Sequence, residues 1–255
     1  MKVSIITASY NNVDTIRSTI ESVLSQTYPD IEYIVVDGGS ADGTVDIIKE
    51  YQHFIAKWIS EPDEGIYYAL NRGLDMATGD VIGFLHADDV LCDYSTVSKI
   101  IDIFEKKQVD AVYGDLVYVA RNDVHNIVRF WKSNDFTPQL LKQGWMPPHP
   151  TLFVLKKMYE KYGNFNTNLR IAADYDLILR FFSQPDFKSE YLPHIIVRMR
   201  MGGMSNKNIG NLFRKSQEDY KSMKFNNIGG LRALIWKNFS KLSQLKLFRK
   251  MKWTH

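Results

Sequence analysis

A chain of 255 residues, 45% apolar, 13% aromatic and 24% charged, carries enough apolar side chains for a full-sized core, which excludes disordered, collagen-like and disulfide-scaffold classes. One large α/β domain, or one domain with an appendage, is expected, because single cores stop growing near ~250–300 residues. The single cysteine, Cys92, rules out an intramolecular disulfide, and the net charge of +3 is unevenly spread: from Lys207 onward 12 Lys or Arg face only Glu218 and Asp219, so a −7 body bears a +10 tail.

The chain opens on an apolar run, Val3 to Thr7, that reads as a buried strand and turns polar at Ser9, too soon for a signal peptide. Val13 to Ser25 follows with Ile16, Ile20, Val23 and Leu24 at helical spacing, then a second strand, Ile31 to Asp37, and a second helix, Thr44 to Tyr51. A third strand, Val81 to Leu85, is bounded by Asp80 and His86, and no run approaches the ~20 apolar residues that would cross a bilayer. Alternating strands and helices predict a parallel sheet covered on both faces. Ligands bind such sheets at the carboxyl ends of the strands, so the segments SYNN, DGGSADG and HADD are expected to converge on one crevice. Further on, Asp110 to Tyr118 and Asn126 to Trp131 read as strands, MPPHP (146–150) as a rigid loop, Asp174 to Phe182 as a helix, and Phe187 to Arg200 as containing a strand. After Gly202 and Gly203 the chain becomes helical and basic.

Asp88 and Asp89 follow the strand VIGFL and so stand where a buried sheet meets solvent. Adjacent like charges are costly unless a cation neutralises them, and hard carboxylate oxygens suit Mg²⁺ or Mn²⁺. A helix N-cap followed by a first-turn acid accounts for the same pair without function. Asp37 ends another strand before Gly38, Gly39, Ser40, Asp42 and Gly43, where it can accept hydrogen bonds from a nucleobase or ribose. GGSADGT lacks the Gly-Lys-Ser/Thr ending of a P-loop, and a tight turn is its competing reading.

The segments TASYNN, VVDGGSADGT, SEPDEGIYYALNRGLDMATGD, FLHADD, HPTLFV, GNFNTNLRIAADYDLILR and MGGMSN, in that order, resemble the family 2 glycosyltransferases over roughly residues 1–206. The resemblance implies a GT-A fold: a Rossmann-like, mostly parallel sheet flanked by helices, here as domain 1–207 with a nucleotide-sugar half to about residue 108 and an acceptor half from 109, followed by a basic helical extension, 208–255. It also implies a nucleotide-diphosphate sugar donor held through Mg²⁺ or Mn²⁺. By position, Thr7, Ala8, Ser9 and Tyr10 would touch the nucleotide, Asp37 the base or ribose, Asp88 the ribose or donor sugar, and Asp89 the metal. His86 stands where the family usually has an Asp or Asn. Asp174 matches the catalytic base, with Asp176 two residues on as its competitor and helix N-capping as its plain alternative. Asn71 and Arg72 fall at the donor, His149 at the metal or diphosphate, Trp145 at the acceptor cleft, and Gly202, Gly203, Met204 and Ser205 in a loop over the donor. The plain alternatives are an exposed helical cation for Arg72, a structural surface histidine for His149, a core aromatic for Trp145 and a simple turn for the loop.

The function expected is inverting transfer of a sugar to a glycan or polyprenol-linked acceptor in surface-polysaccharide assembly. A sugar nucleotidyltransferase would need the same sheet, carboxylates and cation, but also a glycine-rich phosphate cradle that TASYNN lacks. The tail offers a non-catalytic alternative, an anion-binding module, yet it has no zinc-finger, recognition-helix or RNP pattern, so nucleic acid is not expected. Leu231, Leu234, Ile235, Phe239, Leu242 and Leu245 form one stripe at ~100° per residue, with Lys237 and Lys241 at its edge or beyond. Such a helix suits the cytoplasmic face of an anionic inner membrane, with packing on the body or on another subunit as the alternatives that would use the same stripe. A cytoplasmic, peripherally attached protein is the expectation.

Overall fold

In the computed structural model, residues 1–202, 209–230, 233, 234 and 237 are described. The chain runs β1 (Val3–Ser9), α1 (Ile16–Leu24), β2 (Ile31–Asp37), α2 (Thr44–Glu50), β3 (Lys57–Ser60), α3 (Ile66–Met76) and β4 (Val81–Phe84). These four strands lie parallel in the order β3-β2-β1-β4, with Ile5 of β1 opposite Tyr33 of β2 and Gly83 of β4. Every residue of β1 is buried. Alternation then divides the core: Ile6, Ile34, Val36 and Ile82 enter one cluster, while Val3, Ile5, Tyr33 and Val35 enter a second on the opposite face.

The second half supplies β5 (Val90–Leu91), α4 (Thr96–Lys106), β6 (Ala111–Ala120), β7 (Asp123–Trp131), α5 (Pro138–Leu141), a single 3₁₀ turn at His149–Thr151, β8 (Phe153–Leu155), α6 (Lys156–Tyr162), α7 (Ala173–Phe182), β9 (Ser189–Arg200) and α8 (Ile209–Phe225). The sheet continues β4-β8-β6-β9-β5, with β7 pairing β6. β8 runs antiparallel to both β4 and β6, whereas β6 and β9 are parallel. The expected α/β sheet is present and mixed: six strands run one way, β5, β7 and β8 run the other, and β8 joins the two halves. β3, β5 and β8 have four, two and three residues, too few for a periodic pattern to mark them. Gly83 is a packing requirement, since a Cβ there would collide with the Phe153 ring.

α8 packs against α7, and its Met223, with Ile228 and Ala233 beyond it, enters the same core cluster as Leu177 and Phe181. Of the stripe expected in the tail, Leu234 lies against that cluster; Leu231, Ile235, Phe239, Leu242 and Leu245 lie outside the described residues, as does Lys241. Lys237 is buried rather than at a solvent edge. Its Nζ lies 2.8 Å from Asp219 Oδ1 and 3.0 Å from the Tyr175 ring centroid, so a counter-ion and a π-face offset its lost hydration. Among the described residues no helix is long and apolar enough to cross a membrane.

A buried carboxylate staples the sheet's N-terminal edge. Glu32 accepts hydrogen bonds from Ser4 Oγ (2.6 Å), Thr78 N (2.7 Å) and Thr78 Oγ1 (2.8 Å), and pairs with Lys2 and Lys57. Burial alone would raise its carboxyl, but the hydrogen bonds from Ser4, Thr78 and Lys57 outweigh burial and hold it far below the usual range. A depressed folded-state pKa stabilises above the unfolded value, and that stabilisation fades as pH falls through the folded one. Glu32→Gln is therefore expected to cost about 3 kcal/mol at pH 7. Denaturant titrations of both proteins should show the gap closing below about pH 4; a gap independent of pH would refute the assignment.

Candidate active site

The tips of β1 and β2 are laced together by side chains of the polar segments that follow them. Asn11, at φ 52°, occupies the left-handed region that Asn tolerates better than most residues. Its backbone N–H donates to Ser40 Oγ (2.8 Å) and its Oδ1 accepts from Ala41 N (3.1 Å), while Asn12 N donates to Thr44 Oγ1 and Val13 N to Asp42 Oδ2. Leu85 N donates to Ile6 O, which carries the end of β4 alongside β1. The three polar segments thus meet at one edge of the sheet.

Placement divides the residues expected at the donor. Thr7, Ala8 and Ser9 are buried within β1, with Thr7 Oγ1 accepting from the Tyr33 hydroxyl at 3.1 Å, and only Tyr10 is exposed. Asp37 is fully buried and accepts four hydrogen bonds, from Gly39 N (3.1 Å), Ser40 N (2.8 Å), Ser40 Oγ (2.5 Å) and Ser60 Oγ (2.7 Å). These match a carboxylate's roughly four lone-pair sites, so Asp37 shapes the loop floor. Asn71 spends both ends of its amide on the backbone of Phe165, donating to its carbonyl and accepting from its N–H, each at 2.9 Å. This ties α3 to the 163–165 turn and leaves the amide committed. Arg72 pairs with exposed Glu61.

Burial also separates the two acidic neighbours. Asp89 is completely enclosed: Oδ1 accepts from Arg200 N at 3.2 Å, and among the described residues Oδ2 has no hydrogen-bond partner. Burial, reinforced by the charge of Asp88, pushes the Asp89 carboxyl well above the usual range against the pull of Arg200. Asp88 is half-buried. Their turn is clamped by Arg200 at the end of β9, whose guanidinium donates to Asp88 O (2.7 Å), Ser18 Oγ (3.0 Å) and Arg121 O (3.1 Å), while Thr19 Oγ1 donates to Asp89 O.

Beside this turn, His86, His149 and Asp174 form a row. His149 Nδ1 lies 3.3 Å from Asp174 Oδ2, and the His86 and His149 Nε2 atoms are 3.3 Å apart. The carboxylate requires an N–H on His149 Nδ1, which makes His149 Nε2 the acceptor and His86 Nε2 the donor, a tautomer assignment that follows from the network. Burial pushes His149 down to about 4 against the opposing pull of Asp174, and it pushes His86 down as well, so both rings are neutral at pH 7. Burial would raise Asp174, but neighbouring His149, Lys215 and Lys237 outweigh burial, and the carboxylate is held below its usual range. Tyr67 donates to Ile171 O at 2.8 Å, with its hydroxyl 3.4 Å from Asp174 Oδ1. Asp176 points elsewhere: Arg180 Nε (3.0 Å) and Asn226 Nδ2 (3.4 Å) take its oxygens, and its side chain is 5% exposed against 22% for Asp174.

Among the described residues no three His, Cys, Asp or Glu side chains form a metal cage. Mg²⁺ and Mn²⁺ need none, because one or two carboxylates and substrate phosphates commonly complete their shell. Asp88, half-buried on a turn clamped by Arg200, fits that arrangement; Asp89, expected at the metal, is enclosed, and His149, also expected there, has Nδ1 beside Asp174 and Nε2 beside His86. Trp145, expected at the acceptor, packs its ring against Tyr113, Phe136 and Phe182 and donates from Nε1 to Asn134 Oδ1. Gly202 is exposed with φ 107°, and Gly203, Met204 and Ser205 lie outside the described residues. Tyr67 enters the site from within the segment SEPDEGIYYALNRGLDMATGD, whereas Arg200 and Glu218 support it from outside the matched segments. For Glu218 a signal existed, since it and Asp219 are the only acids in a basic tail.

The sequence profile of glycosyl transferase family 2 matches residues 4–170. A PGL/p-HBAD biosynthesis glycosyltransferase of Mycobacterium tuberculosis is 32% identical over 218 residues, 83% of this chain and 82% of that protein. Among solved structures, S. aureus TarS 1-349 in complex with UDP superimposes with a TM-score of 0.68 at 15% identity, over 99% of this chain and 76% of that one. The mannosyltransferase PcManGT from Pyrobaculum calidifontis, in complex with GDP-Man and Mn²⁺, gives 0.66 at 20% identity, over 96% and 72%. These likenesses show the GT-A fold.

Proposed function

The chain belongs to glycosyl transferase family 2, and on that premise we propose that it moves one sugar, with inversion, from a nucleotide-diphosphate sugar to a hydroxyl of a glycan or polyprenol-linked acceptor, with Asp174 as general base. The observation that carries this reading is the ionised, partly exposed Asp174 beside the turn that bears Asp88. The nucleotide would lie over the laced tips of β1 and β2, against exposed Tyr10 and the floor that Asp37 organises. Asp88 would hold Mg²⁺ or Mn²⁺ together with the donor diphosphate. A bound divalent cation would offset the negative charge that builds on the departing nucleoside diphosphate.

Asp174 takes the acceptor proton as the acceptor oxygen bonds to the anomeric carbon and the carbon–phosphate oxygen bond breaks, its electron pair leaving with the diphosphate. His149, donating from Nδ1, holds one carboxylate oxygen in place, and Tyr67 fixes the backbone two residues before the first turn of α7. The GT-A neighbours with UDP, UDP-GlcNAc and GDP-Man support the donor class. A panel of nucleotide sugars with Mn²⁺ should contain one that stabilises the protein by about 2.7 kcal/mol at a hundredfold excess over its Kd, and that one should be turned over. A panel without thermal shift or turnover would count against the reading.

A further inference from the structure

α7 begins without a cap of its own. Its N-cap position is Ala172, whose methyl group cannot accept a hydrogen bond, yet Asp174 stands on this first turn. Backbone N–H groups buried at a helix start need an acceptor from somewhere. For the three residues that lead into α7 it comes from α8: the buried carboxylate of Glu218 accepts from Arg170 N (3.2 Å), Ile171 N (2.9 Å) and Ala172 N (3.0 Å). The carbonyl of Ile171 is held from the other side by Tyr67. Two further bonds from the same C-terminal segment secure α7 below this point, Asn226 Nδ2 to Asp176 Oδ1 and the Asp219–Lys237 pair under Tyr175.

We propose that Glu218 is a positioning residue for the transfer reaction: by gathering the three N–H groups ahead of α7 it sets where the Asp174 carboxylate stands relative to His149 and the acceptor oxygen. The inference rests on Asp174 being the base. It gives part of the basic tail a role in the chemistry of the body, one that requires no membrane or partner. Gln at 218 keeps the volume but loses the charge and one acceptor oxygen, so it cannot gather all three donors. Asp keeps the charge on a shorter arm and should recover part of the function.

The test compares Glu218→Gln, Glu218→Asp, Asp174→Asn and Met223→Ala in the full-length protein; Met223 is a fully buried α8 residue outside the site, so its truncation reports loss of helix stability alone. The first readout is the ¹⁵N imidazole spectrum, which needs no substrate and reports the Nδ1–H tautomer of His149. The second is hydrolysis of UDP-GlcNAc and GDP-mannose with Mn²⁺. Glu218→Gln should lose the Nδ1–H signature and drop kcat roughly 100-fold with donor KM within about twofold, as a misplacement near 1 Å does; Glu218→Asp should recover part of both. Met223→Ala should lower the melting temperature and keep signature and kcat. The proposal is overturned if Glu218→Gln keeps both, or if Met223→Ala loses them to the same extent. An inactive Asp174→Asn beside an unaffected Glu218→Gln removes this inference alone, whereas a fully active Asp174→Asn removes the base assignment and the inference with it.

Discussion

Asp174→Asn is expected to lower transfer by roughly 10²–10⁴-fold, the range a positioned general base supplies. Asn has nearly the same shape, so Oδ1 can still accept from His149 Nδ1, 3.3 Å from the carboxylate, and the fold should be unperturbed. What disappears is the site for the acceptor proton. Donor affinity, read from thermal shift with the best nucleotide sugar, should stay within a few fold, so the loss falls on kcat. A variant transferring at the parental rate would return the choice to Asp176, whose oxygens are already taken by Arg180 and Asn226. The Asp174 carboxyl is held low, so its ionisation should not limit activity at neutral pH, and a rate that declines only in acid is the matching pH profile.

The second large effect separates two adjacent aspartates. Asp88→Asn should cut turnover roughly 10²–10³-fold, the loss typical when one electrostatic contact to a developing charge is removed, and should raise the Mn²⁺ concentration needed for half activity. Asp89→Asn should keep most of its activity, because the Asn carbonyl can still accept from Arg200 N and the enclosed position favours an uncharged group. Exhaustive chelation should abolish turnover in the parent. An unchanged Mn²⁺ requirement in Asp88→Asn, with collapse in Asp89→Asn, would reverse the two roles.

This pair also marks how far sequence reading carries. Continuous apolar runs such as Ile31–Asp37 announce buried strands, and the rule that ligands gather at strand ends brings DGGSADG and HADD to the same edge, as the Asn11–Ser40 and Leu85–Ile6 hydrogen bonds bear out. Which of two neighbouring Asp side chains turns inward is decided by the conformation of one turn, held by an arginine 111 residues away in the chain. No local pattern encodes that. Asn71 and Trp145 have side chains suited to binding and spend them on Phe165 and on an aromatic cluster instead, since a tertiary neighbour can satisfy an amide or indole as well as a ligand can. Glu218 was hidden by its company, because a net charge of +10 draws attention to the lysines.

The guanidinium of Arg200 donates to two main-chain carbonyls and a serine hydroxyl, while its backbone N–H reaches Asp89 Oδ1. The protein thus builds a rigid frame around the acidic turn, and on the proposed function the Asp88 carboxylate is what a cation from solution would meet. On the proposed function, donor and dication would bind as interdependent guests, each improving the other's hold by the same factor, because binding linkage is reciprocal.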